Sequence, residues 1–347
     1  MLLAVSSGDG PDVALGVDST SVGEFAMRNA VVDLSGFSDF YEVKSKYSDK
    51  LFNPVTYNDG VYAIPETVNF KVLIYRKDIM DRLGLKVPNT WQELYKNVMP
   101  VLSQNNMQFY YPIDFEPFLY QNNAKYYSEN LIESALNTTS AYKAFEEFCN
   151  LYITHGVPIQ ADFFNRFRTG EMPIGVGDFA MYIKILSAAP ELYGRWGIHC
   201  LPAHISDDGT VNHSQGKSSA ESVMILQNSK KKSAAWKFVK WWVSDTTQTT
   251  FGNDIESIVG SSARWNSANA NAFYSMSWST SDISVIREAL SQFDEAPVVL
   301  GGYFTARHIT NAFNRSVVSH MNIRESLEKS VKDINKELAR RRASRGE

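Results

Sequence analysis

Asp114 and Glu116 stand two residues apart in the run Tyr110-Tyr111-Pro112-Ile113-Asp114-Phe115-Glu116. Two carboxyl groups within reach of one substrate are what a glycoside hydrolase uses, one as acid and the other as base or nucleophile. The chain has 38 acidic residues in 347, so near neighbours of this kind also arise by chance. The plain alternative for each acid is a helix cap or a solvated loop charge. A second cluster, His199, Cys200, His204 and His213, falls within one short stretch. Its spacing fits no standard zinc pattern, and Pro202 and the Asp207-Asp208-Gly209 turn interrupt it, so no metal is expected. The chain has no P-loop, dinucleotide-binding glycine fingerprint, HExxH or GxSxG, so no cofactor is expected and nothing points positively to an enzyme.

Elements that could position such groups must come from an ordinary globular composition. The chain is 44% hydrophobic and 21% charged, and its length suits two domains. A net charge of −4 argues against nucleic acid as a partner, which needs a basic face. The 20 Phe, 17 Tyr and 7 Trp could fill cores or line a cleft that stacks flat ligands. Cys149 and Cys200 read as small buried apolar groups, with a disulfide as the alternative. No apolar run approaches the ~20 residues needed to span a bilayer. Met1–Val5 is too short for the apolar core of a signal peptide.

Strand-like and helix-like segments alternate, as in α/β folds. Asp12–Val17, Val61–Ile64 and Val68–Tyr75 carry strand character. Thr90 and Glu93 form a capping box that opens a helix through about Met99. Within Ser229–Asp245, Ala235, Val239 and Trp242 make an apolar stripe with lysines elsewhere. Asn322 and Glu325 suggest another cap, followed by the stripe Leu327, Val331, Ile334 and Leu338. The run Arg340–Arg345 reads as a solvated, frayed helix end.

Several blocks, in order along nearly the whole chain, resemble the family 1 extracellular solute-binding proteins, the carbohydrate-type receptors of ABC importers. They begin with Ser7–Val13 (SGxxPDV) and Val32-Asp33-Leu34-Ser35. Tyr62-Ala63-Ile64-Pro65, Leu73–Asp78, Gly84 and Pro88–Trp91 with Leu94 form the most specific stretch. Phe167–Ile174, Gly177-Asp178-Phe179, Leu201-Pro202-Ala203 and Ala234–Phe238 follow, and Gly301-Gly302-Tyr303 with Arg307-His308 and Asn335–Leu338 resemble a subgroup. The family pattern places a signal peptide, a lipobox cysteine and a β-α-β unit ahead of SGxxPDV, and the 347 residues show none of them. The block Gly260–Arg264 lacks the proline usual there.

The resemblance implies an α/β, two-lobed, periplasmic-binding-protein-like (type II) fold whose N-lobe lacks its first β-α-β unit. Residues 1–112 plus 222–297 would form that lobe, and 113–221 plus 298–347 the C-lobe. Hinge crossings are expected near Tyr111–Asp114, Ser218–Ser222 and Val298–Tyr303, where Gly301-Gly302 suits backbone rotation. The ligand would lie between the lobes and drive closure by preferring the closed form. Open α/β sheets bind ligands at the carboxyl ends of strands. This marks Asp18, Ser19, Glu66 and Asn69, then Asp114, Glu116 and Tyr120, then Asp178, Tyr182, Ser219 and Glu221. Such carboxylates, amides, hydroxyls and aromatics suit a sugar. A polyamine, which favours acidic clefts, is the nearest alternative, and oxyanions fit these acidic loops less well. A hydrolase using Asp114 or Glu116, and a binding domain serving a sensor, are further alternatives. The family also implies membrane permease subunits as partners, a monomer, and a cell-surface lipoprotein in the full-length form.

Overall fold

The computed structural model describes residues 10–344. Ser7, Gly8 and Asp9 of the SGxxPDV block, the segment Met1–Val5 and Arg345 lie outside the described residues. In chain order, the elements that position the site begin with strand β1 (Val13–Asp18), helix α1 (Ser19–Ala26), β2 (Ile64–Pro65) and β3 (Lys71–Arg76). Next come β4 (Phe109–Tyr110), α2 (Glu116–Gln121), α3 (Thr139–Ile153), β5 (Ile174–Asp178) and α4 (Phe179–Ala188). They are followed by β6 (Trp196–His199), β7 (Glu221–Ile225) and α5 (Lys232–Trp242). The last are α6 (Thr280–Ser291), α7 (Thr305–Phe313) and α8 (Ile323–Ala343).

The chain forms two compact units. Unit 1 holds the described residues up to Asn69, with Ser218–Trp278 and Glu295–Leu300. Unit 2 holds Phe70–Lys217, Ser279–Asp294 and the described residues from Gly301 onward. The expected boundary near 112 differs, because β3 is an inner strand of the unit 2 sheet. Its partners are β5 and β6, and Val72, Leu73 and Ile74 are fully buried there. The strand-like run 68–75 is itself divided, since the chain leaves unit 1 after Asn69 and enters unit 2 at Phe70. Crossings also occur after Trp278 and Asp294, which the sequence does not signal. The chain enters unit 2 for the last time at Gly301, whose φ of 85° is left-handed and costs glycine nothing.

In unit 1, β7 is the middle strand of an antiparallel sheet ordered β1-β7-β2. Val223, Met224, Ile225 and Leu226 are buried without alternation, as a central strand covered on both faces requires. Helix α5 packs Ala235, Trp236 and Val239 inward. Trp242, expected on the same stripe, is only half-buried.

In unit 2 the sheet runs β4-β5-β3-β6 and is mixed, with β4 parallel to β5 and the other two pairings antiparallel. Much of the aromatic excess goes into its core. Trp91 stacks on Phe118 at 4.7 Å, and Phe148 and Tyr152 meet Phe313 at 5.2 and 5.0 Å. The Thr90 cap forms, since its hydroxyl accepts from the Glu93 amide at 3.1 Å, and the helix continues to Gln104 with a π segment at Leu94–Val98. Asn322 caps α8, and Leu327, Val331, Ile334 and Leu338 are all buried. The arginine-rich end of α8 is more engaged than a frayed end would be: Arg341 lies over the Tyr303 and Phe304 rings and donates to the Tyr303 hydroxyl at 2.6 Å.

Candidate functional site

Antiparallel pairing in unit 1 sets the end of β1 beside the start of β7, with Asp18 opposite Glu221. The chain leaving β2 arrives at the same edge, where the Glu66 amide donates to the Glu221 carbonyl at 2.8 Å. The Glu66 side chain is 4% exposed. Its carboxylate accepts from the Gly16 amide at 2.8 Å and from the Trp242 indole at 2.8 Å. Burial raises its pKa, Glu221 nearby adds to the rise, and the two donors oppose it. Glu221 itself is exposed.

Two other candidates at this edge carry local structure. Asp18 caps α1, accepting from the Thr20 amide at 2.8 Å and the Thr20 hydroxyl at 2.6 Å. Ser19 is buried, with its hydroxyl 2.7 Å from that of Ser222. Asn69 donates its amide to the Ser218 carbonyl at 2.7 Å. The Ser219 hydroxyl donates to Glu295 at 2.9 Å, and the Ser218 amide does so at 2.7 Å. The Ser219 amide also donates to Glu295. Unit 1 therefore gathers Asp18, Ser19, Glu66, Asn69, Ser219 and Glu221 at one end of its sheet.

Unit 2 builds its own cluster. Lys71 begins β3 opposite Asp178, the last residue of β5. The buried Lys71 ammonium pairs with Asp114 and lies 4.0 Å from Glu116. Asp114 also accepts from the Glu116 amide at 3.1 Å, and Glu116 accepts from the Lys217 amide at 3.3 Å. The paired carboxylates are thus tied to a cation and to backbone donors. Asp178 caps α4, accepting from the Met181 amide at 3.0 Å. Tyr120 lies one turn beyond Glu116 on α2 and is half-buried. Tyr182 is fully buried and donates its hydroxyl to Asp282 at 2.8 Å, which makes it a core group. The structure brings Lys71, Asp114, Glu116 and Asp178 together and directs Tyr182 elsewhere.

Lys71 and Glu295 have no marker in the sequence, and Trp242 has only a partial one. Trp242 stands at the end of the apolar stripe of α5, so the period is a signal for burial but not for its indole partner. The histidine cluster disperses onto separate partners. His199 and His213 contact backbone carbonyls at 3.0 Å, and His204 lies 3.5 Å from Glu147. Among the described residues no group of three or more His, Cys, Asp or Glu could hold a metal. Cys149 and Cys200 are both free and buried, and burial pushes each thiol up to about 12. No described helix is long and apolar enough to cross a membrane.

Two α/β units, each with polar groups gathered at strand ends, define a two-lobed binding-protein architecture. The sugar-binding protein MalE of Xanthomonas citri has this fold, matching all of the chain and 88% of its own length at a TM-score of 0.81 and 18% identity. Residues 1–249 match the bacterial extracellular solute-binding protein family, and the chain belongs to it. A binding protein of Brucella abortus (strain 2308) is 23% identical over 264 residues, which cover 70% of this chain and 62% of that protein. The multiple sugar-binding protein of Streptococcus mutans is 30% identical over 106 residues, 30% of this chain and 24% of that one. The chain thus spans about three fifths of the Brucella relative.

Proposed function

We propose that this chain is the extracellular receptor of an ABC importer and that it binds a sugar or oligosaccharide without chemical change. Each unit supplies its own set of ligand groups: Asp18, Glu66, Asn69, Ser219 and Glu221 on unit 1, and Asp114, Glu116, Tyr120 and Asp178 on unit 2. Permease subunits would receive the solute, and a lipid anchor would hold the full-length protein at the cell surface. Family membership supports the receptor role, and the sugar-binding relatives support the ligand class.

The observation that carries the choice of sugar is Lys71. A buried ammonium paired with Asp114 and close to Glu116 gives the unit 2 cluster both donors and acceptors. Paired donors and acceptors suit the hydroxyls of a saccharide. A polyamine would meet a like charge there, which disfavours that alternative. The same cation and the backbone donors occupy the carboxylates that a hydrolase would need free to exchange protons.

A thermal-shift panel of mono- and oligosaccharides, polyamines and simple anions tests the reading. A ligand at 100 times its Kd stabilises by about 2.7 kcal/mol. For a unit of about 150–250 residues that is a rise of roughly 5 to 10 °C. A shift from saccharides alone is expected. A shift from polyamines alone would overturn the ligand class, and turnover of an aryl glycoside abolished by Asp114→Asn would overturn the receptor reading.

A further inference from the structure

Helix α5 buries Ala235, Trp236 and Val239 and leaves the opposite arc to solvent. At 3.6 residues per turn, Ala234, Lys237, Phe238 and Trp241 lie on that outer face. Trp241 is 56% exposed and Phe238 40%, and their rings touch at 5.6 Å. Tyr41, on the neighbouring helix Phe40–Lys44, is 69% exposed. Large aromatics in contact with each other and with water are not explained by the packing of unit 1, which uses the other face.

Lysines surround this aromatic pair. Lys230 and Lys231 precede the helix, Lys232 opens it, and Lys237 and Lys240 lie along it. The first turn holds no acidic residue, and Lys231 stands at the N-cap with no side-chain cap bond. Positive charge there opposes the helix dipole, so the helix gains nothing from it. Among the described residues Lys230, Lys231 and Lys237 have no ion-pair partner. The facing acids are few and mostly engaged: the Lys240 ammonium and the Trp236 indole lower the pKa of Asp39 from its ordinary value, and Lys46 pairs with Asp245 at 3.2 Å. Glu42 lines the adjoining groove and is exposed.

We propose that the outer face of α5 is a docking surface for an anionic lipid bilayer, with Trp241 and Phe238 entering the headgroup layer and Lys230, Lys231 and Lys237 meeting lipid phosphates. Exposed aromatics beside unpaired lysines match the charge and polarity of such an interface, where amphipathic rings sit at the headgroup level. Each lysine near an anionic surface strengthens binding roughly fivefold.

The test is co-sedimentation of the 347-residue chain with vesicles of phosphatidylglycerol mixed with phosphatidylcholine, compared with phosphatidylcholine alone. The chain is expected to pellet with the anionic vesicles only, and to release as salt shortens the screening length from ~10 Å at 0.1 M to ~3 Å at 1 M. The triple variant Lys230→Ser, Lys231→Ser, Lys237→Ser should bind at least about tenfold more weakly. The double variant Phe238→Ser, Trp241→Ser should also lose binding, with both variants keeping the parent Tm because their side chains face solvent. Equal binding to neutral vesicles, or no effect of the lysine variant, would overturn the proposal. So would a concentration-dependent dimer in sedimentation velocity that Trp241→Ser abolishes, since a second copy would then own the surface.

Discussion

Glu66 combines a buried carboxylate, two donors and a neighbouring acid, and its titration should be visible in stability. Burial raises its pKa above the ordinary 4.5. In that window the folded chain holds a proton that the unfolded chain has lost, so folding is favoured at the acid end. The contribution is complete below the unfolded value and is lost as pH rises through the folded one. Glu66→Gln, which stays neutral, is expected to flatten the rise in Tm that the parent shows on acidification through this window, read by calorimetry across a pH series. Glu66→Ala should flatten the same pH dependence and in addition cost about 1–3 kcal/mol, because the Gly16 amide and Trp242 indole lose their acceptor. Glu295 makes a related case. Its buried carboxylate takes the Ser218 and Ser219 amides and the Ser219 hydroxyl. Glu295→Ala is expected to cost about 3 kcal/mol or more by urea unfolding, since bonds to a charged group contribute ~1.5–3 kcal/mol. Neither Glu66 nor Glu295 differs by type from the other acids of the chain. The strand-end argument marks Glu66 by its place after β2, whereas nothing in the sequence marks Glu295, whose partner Ser219 lies 76 residues away.

At the scale of elements, local signals were legible and long-range pairings were not. The caps at Thr90 and Asn322 and the stripe Leu327–Leu338 are properties of neighbouring residues, and they appear where the spacing puts them. Lys71 reads as an ordinary strand residue until β3 pairs with β5 and sets it opposite Asp178. The turn at Gly216 shows the same limit. Gly216 has a φ of 81°, and a Cβ there would stand 2.9 Å from the Glu116 Cβ and 3.3 Å from the Pro117 nitrogen. Backbone cannot yield as a side-chain tip can, so Gly216→Ala carries strain of about 1–3 kcal/mol. Since the added methyl presses on Glu116 beside Lys71, ligand-induced stabilisation should fall along with the basal Tm. A variant with lower Tm and an undiminished ligand shift would separate the turn from the site.

At the scale of the molecule, neither unit is a continuous stretch of chain. Unit 2 draws its sheet and α3 from Phe70–Lys217, but its core is completed from far downstream. Phe313 of α7 supplies a ring to Phe148 and Tyr152, and Asp282 of α6 supplies the acceptor for the Tyr182 hydroxyl. Leu327, Val331, Ile334 and Leu338 add the buried face of α8. A fragment of residues 70–217 alone would leave Phe148 and Tyr152 facing water and the Tyr182 hydroxyl without its acceptor. Losing so many large buried side chains, each worth ~1.5–3 kcal/mol of transfer free energy, removes about as much as the roughly 5–15 kcal/mol that holds a typical domain folded. That fragment is expected to keep helical far-ultraviolet dichroism, bind a hydrophobic dye and melt without a cooperative transition. Joining residues 279–294 and 301–347 to it through flexible linkers should restore a sharp transition, because the cost of closing the new loops grows only slowly with length. Cooperative melting of the 70–217 fragment by itself would show that the downstream helices cover a core already complete.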